Sequence, residues 1–74
     1  MSISACVARC EALVDELDRE LERLAKERSQ TRNDFPTYRK LCKRGQRLRR
    51  LRGKTEGLLA DYRAEEEKEF WEPL

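Results

Sequence analysis

The sequence has no histidine, few aromatic residues (two Phe, two Tyr and one Trp) and no long apolar run. The absence of histidine removes the commonest general base and a frequent metal ligand. Because about 18 or more consecutive apolar residues are needed to span a bilayer, we expect no contact with a membrane. No basic start followed by an apolar core, the pattern of a signal peptide, is present. We therefore expect a cytoplasmic protein.

Residues that carry chemistry in other proteins are present here without their usual companions. The serines lie at the beginning of the chain or in a predicted loop, and no glycine-rich phosphate-binding loop is present. Cys6 and Cys10 are one helical turn apart, whereas Cys42 is expected to lie far from both. An odd number of cysteines without an export signal is typical of free thiols in a reducing compartment. The sequence predicts no catalytic residue, no cofactor and no metal site.

Composition limits the size of the core. Among 74 residues, 38% are apolar and 43% are charged, so a chain of this length buries little surface on folding. We predict a single domain over residues 1–74 that dimerises or docks on a partner. The net charge of +2 conceals an acidic first third, a basic middle and an acidic tail, a segregation that says more than the total.

The first third predicts one amphipathic helix over about residues 3–29, with Ser2 or Ser4 as its N-cap. Apolar residues recur at alternating steps of four and three, which is the heptad pattern of a helix that packs along one seam. A polar, aperiodic stretch over about residues 30–35 follows and predicts a loop. The apolar seam of this first helix consists of Ile3, Val7, Cys10, Val14, Leu17, Leu21 and Leu24.

A second helix is predicted over about residues 36–70, with Asp34 or Phe35 at its cap, Pro36 in its first turn and Pro73 beyond its end. Because the loop is short, the second helix must return antiparallel to the first. The sequence thus predicts an all-α, coiled-coil-like hairpin that completes a bundle by dimerisation or partner docking. Leu17, Leu21, Leu48, Leu51 and Leu58 are expected to hold the two helices together. The predicted second seam contains Leu41, Arg44, Leu48, Leu51, Thr55, Leu58 and Tyr62.

Small residues form a stripe on the predicted outer face of the second helix, and two aromatic residues follow it. Small side chains allow another helix to approach closely, and aromatic side chains are common binding hot spots. This pattern favours a non-catalytic protein–protein interaction module, a small adaptor or inhibitor that binds a larger protein or a second copy of itself. A surface that merely tolerates small residues is the alternative explanation. The predicted partner-binding residues are Gly53, Gly57, Ala60, Ala64, Phe70 and Trp71.

The middle of the second helix also carries a dense run of cations, which suggests a different function. Clustered, permanently charged donors are what phosphate contacts require, so nucleic-acid binding is the alternative hypothesis. Against it, the predicted pairing sets the acidic residues of the first helix beside this run, where they would neutralise it. The candidate phosphate-binding residues are Arg47, Arg49, Arg50, Arg52 and Lys54.

Overall fold

The computed structural model describes residues 2–71, with side chains from Ser2 to Lys68. Two α-helices, α1 (Ile3–Gln30) and α2 (Phe35–Trp71), pack side by side as a hairpin with Cα extents of 62 × 17 × 14 Å. Their limits differ by at most one residue from those predicted, and the predicted all-α hairpin is confirmed. No helix within residues 2–71 combines the length and apolar character needed to cross a bilayer.

Side-chain caps fix where the helices begin and end. Ser2 is the N-cap of α1, and its hydroxyl accepts a hydrogen bond of 3.2 Å from the backbone N–H of Ala5. At the other end, the Thr31 hydroxyl donates to the Glu27 carbonyl at 2.8 Å. Asp34 begins α2, since its carboxylate accepts hydrogen bonds from both the backbone N–H and the hydroxyl of Thr37. These contacts satisfy polar groups that helix ends leave unpaired, and so they place the turn.

The seam of α1 lies where the heptad pattern predicts it. Val7, Leu17 and Leu24 are buried, and Leu24 is only 2% exposed. The remaining members of the predicted seam are half-buried: Ile3, Cys10, Val14 and Leu21. One unbroken heptad repeat is thus enough to orient this helix about its axis.

The seam of α2 differs from the predicted one in every second member. Leu51 and Leu58, which were expected to hold the hairpin, are 45% and 51% exposed, whereas Leu59 is 9% exposed. Gly45 is buried in place of Arg44, which is exposed. Because neighbouring residues on a helix are about 100° apart, this change amounts to a rotation of α2 about its axis. The residues of α2 that face α1 are Tyr38, Leu41, Gly45, Leu48, Arg52, Thr55, Leu59 and Tyr62.

Thr55 lies in the seam of α2 and is more deeply buried than Leu59, at 3% exposed. Its hydroxyl donates a hydrogen bond of 2.8 Å to the carbonyl oxygen of Leu51, one turn earlier on the same helix. Because a buried hydroxyl without a partner is costly, this bond is what permits a polar residue in the seam.

Replacement of Gly45 by alanine is expected to stabilise the hairpin. A Cβ atom at Gly45 would lie more than 4 Å from any described atom of the facing helix, so a methyl group fits without a clash. Alanine favours the helix over glycine by about 1 kcal/mol. We expect Gly45→Ala to raise the free energy of unfolding by roughly that amount in urea titrations followed by circular dichroism.

Gly53→Ala is the matched control for Gly45→Ala. Gly53 also lies within α2 and has open space around it, but it is exposed. The two variants gain the same helix propensity, so any difference between them reports packing in the seam. A loss of stability in Gly45→Ala alone would show that the two helices approach more closely at this level than the structure has them.

Candidate interaction surfaces

One side of the hairpin is closed by polar contacts between the helices, and we call it the polar side. The Ser4 hydroxyl donates to the Glu66 carboxylate at 2.9 Å, and Arg63 donates to Glu11 at 3.0 Å. Farther along, the guanidinium of Arg52 bonds both carboxylate oxygens of Asp18. The order of these contacts, from the start of α1 with the end of α2 inward, is that of an antiparallel pair.

Arg52 is at the centre of the polar side. It lies in the seam, half-buried, and it also pairs with Glu56 one turn along α2 at 2.7 Å. The hydrogen bond to Asp18 and the charges of both carboxylates raise the pKa of Arg52 above its ordinary value, although desolvation acts in the opposite direction. This arrangement allows an arginine to occupy a seam position, since its stem packs between the helices while its charge is matched at the edge.

The opposite side of the hairpin is apolar over its central part. On this side Arg44 donates a hydrogen bond of 2.9 Å to Glu20 across the two helices. Leu13 lies one heptad before Glu20 on α1, and Leu51 lies one heptad after Arg44 on α2, so the two leucines share a side of the hairpin. Leu58 follows Leu51 by a further heptad on the same row of α2. We call these three exposed side chains, Leu13, Leu51 and Leu58, the leucine face.

The leucine face continues into the seam. Leu13, Leu17 and Leu48 line one shallow groove together with Glu20 and other charged residues of α1. Leu17 and Leu48 were both predicted to hold the two helices together, and both reach this groove. A partner that covers the leucine face would therefore also close the edge of the hairpin's own core.

The small-residue stripe predicted from the sequence lies elsewhere. Gly53, Gly57, Ala60 and Ala64 are all exposed, and open space surrounds both glycines. The predicted partner-binding residues Phe70 and Trp71 lie outside the range whose side chains the structure describes. Sequence reasoning overlooked the leucine face because it had assigned Leu51 and Leu58 to the seam. The available signal was that Leu13 is an apolar residue outside the α1 seam.

The cations predicted to bind phosphate are divided by the structure into two groups. Arg52 is engaged by Asp18 and Glu56. The others, Arg47, Arg49, Arg50 and Lys54, are exposed and form no ion pair with any residue in the described part of the chain. The expected neutralisation by α1 therefore affects Arg44, Arg52 and Arg63 but leaves these four cations unpaired. One row opposite the seam, which we call the basic stripe, comprises Lys43, Arg47, Arg50 and Lys54.

The thiols and carboxylates do not gather into a chemical site. Cys6, Cys10 and Cys42 are free and half-buried. Within residues 2–68, whose side chains the structure describes, no three potential ligands among Cys, Asp and Glu come close enough to hold a metal ion. The surfaces that the structure does form are the leucine face and the basic stripe.

Fold and surfaces together define an antiparallel two-helix hairpin with one polar side, one leucine face and one basic stripe. Comparisons with protein-family models, with curated protein sequences and with solved structures find no match to this chain.

Proposed function

We propose that the protein is a non-catalytic protein–protein interaction module, a small adaptor or inhibitor that acts by binding a second polypeptide, identical or different. The observation that carries this proposal is the leucine face. Three of the four large apolar side chains exposed in the described structure, Leu13, Leu51 and Leu58, lie on the same side of the hairpin. Single exposed leucines need no explanation, but grouped ones mark surfaces that bind other proteins.

The core of the hairpin is small, so covering the leucine face would also stabilise the fold. The buried apolar side chains are Val7, Leu17, Leu24 and Leu59, and none of them is completely shielded from solvent. Each square ångström of apolar surface removed from water contributes about 25 cal/mol. A partner on the leucine face would bury those leucines and shield the seam beside them, so binding and folding would support each other.

Replacement of both Leu51 and Leu58 by glutamate tests this proposal against the surface predicted from the sequence. In our proposal the double variant loses its protein partner, while Gly57→Leu on the small-residue stripe keeps it. Complexes are measured by light scattering for self-association and by quantitative affinity capture for other partners. Loss of binding in Gly57→Leu with retention in the glutamate variant would reject the leucine face and favour the stripe.

Nucleic-acid binding remains a second candidate because the basic stripe is unpaired. Lys43, Arg47, Arg50 and Lys54 follow one another at steps of four, three and four on the surface of α2 that faces away from α1. With a rise of about 1.5 Å per residue, the stripe is on the order of 17 Å long. A row of that length can follow several phosphates along a backbone, which is a sequence-independent mode of binding.

Salt dependence separates phosphate binding from a solvated charged surface. If the basic stripe binds short RNA or DNA duplexes, raising the salt from about 50 to 200 mM should weaken binding by roughly 10²-fold for about four phosphate contacts. Arg50→Glu with Lys54→Glu should abolish that binding and leave the helix content unchanged. Fluorescence anisotropy under reducing conditions measures both effects. Absence of binding at the lower salt would remove this candidate.

A further inference from the structure

We propose, on the basis of the protein–protein interaction function above, that the partner on the leucine face is a second copy of this chain. The two hairpins are inferred to stack as two layers with twofold symmetry, α1 on α1 and α2 on α2, each pair antiparallel. The product is a four-helix bundle in which every helix has antiparallel neighbours.

The first argument is that one row of α2 is complementary to itself. At successive heptads this row reads Arg44, Leu51, Leu58 and Glu65, which is cation, leucine, leucine, anion. In a twofold interface, residue i of one copy meets residue j of the other, and j meets i. A twofold axis between Leu51 and Leu58 sets each leucine against the other leucine of the second copy. The same axis places Arg44 opposite Glu65, so charge and apolar character both match.

The second argument is that α1 places a leucine at the level of the same axis. Counted from the bonded pair Glu20 and Arg44, Leu13 lies level with Leu51. Counted from the contacts of Glu11 with Arg63 and of Asp18 with Arg52, Leu13 lies near the level of Leu58. The two counts together place Leu13 between the levels of Leu51 and Leu58, where the axis lies. In the proposed dimer Leu13 therefore lies close to the Leu13 of the second copy. All three leucines of the leucine face are covered by their counterparts.

The third argument comes from the charges that border the leucine face. On α2, Arg47 and Asp61 lie on one row, two heptads apart, on opposite sides of the axis. On α1, Arg9 and Glu16 lie on either side of Leu13. Each of these four residues is exposed and forms no ion pair with another described residue. The twofold axis brings each cation within reach of the corresponding anion of the second copy, which fixes the register of the two hairpins.

The face is also large enough for a stable dimer. A face 62 Å long and 17 Å wide has an area on the order of 1,000 Å², and standard interfaces bury about 800 Å² per partner. A hairpin that is a single layer thick cannot enclose its seam on this side by itself.

Disulfide trapping tests the arrangement directly. In a chain with Cys6, Cys10 and Cys42 replaced by alanine, Leu13→Cys places a thiol next to the axis. Because disulfides require Cα atoms within about 7 Å, mild oxidation should link two copies through this residue. Ala12→Cys is the matched control, since Ala12 is the neighbouring exposed residue but lies outside the leucine face. We expect Leu13→Cys to link roughly tenfold faster or more, because the dimer raises its effective concentration.

Two further measurements test the proposed dimer and distinguish its failure from failure of the protein–protein interaction function. Light scattering of the unaltered chain should give twice the monomer mass at micromolar concentration, and a monomer mass would overturn the inference. Equal linking of Leu13→Cys and Ala12→Cys would overturn it too, as would a cross-link from position 13 only to cysteines placed at positions 51 or 58. A monomer that still captures another protein, lost on Leu51→Glu with Leu58→Glu, would overturn self-association and leave the interaction function standing.

An independent test exchanges the charges of Arg47 and Asp61, which border the leucine face. Arg47→Asp alone and Asp61→Arg alone should each weaken the dimer, because each leaves two like-charged contacts across the axis. The chain that carries both changes should recover, because the pair is restored with its signs reversed. Failure of the double variant to recover, with helix content intact, would show that these residues do not meet in the dimer.

Discussion

Leu59→Ala is expected to lower the free energy of unfolding of the hairpin by about 2–4 kcal/mol, whereas Leu58→Ala should cost less than about 1 kcal/mol in the isolated hairpin. Leu59 is 9% exposed and Leu58 is 51% exposed, although they are adjacent leucines. Truncation at Leu59 removes buried apolar surface and leaves a cavity between the helices. Because a domain of this size has roughly 3–5 kcal/mol of stability in total, the helical signal itself should fall in Leu59→Ala.

The two leucine variants control for each other, since their compositions are identical. Urea titrations followed by circular dichroism should be run at several protein concentrations. The effect of Leu59→Ala should persist at the lowest concentration. Any additional effect of Leu58→Ala should appear only where the chain associates, because Leu58 belongs to the leucine face. If Leu58→Ala were the more destabilising change in the dilute limit, α2 would have the orientation predicted from the sequence.

Leu51→Glu combined with Leu58→Glu should have the second large effect, a loss of partner binding on the order of 10³-fold. Complete burial of a leucine contributes about 1.5–3 kcal/mol, and these side chains are already half-shielded, so each contributes about 1 kcal/mol more when covered. In a twofold dimer every change counts twice, which gives about 4 kcal/mol before the cost of placing carboxylates against apolar surface. Sedimentation equilibrium over a range of concentrations measures the loss.

The matched control for this variant is Gly53→Glu with Ala60→Glu. It adds the same two charges at the same spacing of seven residues on the same helix, but on an exposed row that lacks leucine. Both variants should keep their helical spectra, because the altered positions lie outside the core. Equal weakening in the two variants would indicate a general effect of negative charge and would contradict a specific role for the leucine face.

A large part of the hairpin was predictable because local chemistry determines it. Ser2 and Asp34 cap the two helices through their own side chains, so the limits of the helices follow from neighbouring residues. The α1 seam was predictable because a single heptad pattern is present there. The candidate interaction surfaces were harder to predict from the sequence. The basic run was visible in the sequence, but which cations stay unpaired depends on the reach of Asp18, Glu20 and Glu11 across the helices.

The orientation of α2 about its axis was decided only by the tertiary structure. Two heptad patterns share Leu41, Leu48, Thr55 and Tyr62, and the more apolar one continues through Leu51 and Leu58. The structure uses the other pattern, in which Gly45 and Leu59 are buried and Arg52 bonds Asp18. This rotation keeps Arg44 out of the seam and pairs Arg52 at its edge.

The sequence by itself thus determined two antiparallel amphipathic helices, because caps, loop length and one heptad repeat are local or one-dimensional properties. It could not determine which leucines of α2 are inside, because hydrophobicity alone favours burying them all. A two-helix layer cannot bury them all, since each helix has only one face toward the other. The contacts of α1 therefore selected Leu59 for the core and left Leu51 and Leu58 on the leucine face, where we propose that a second copy covers them.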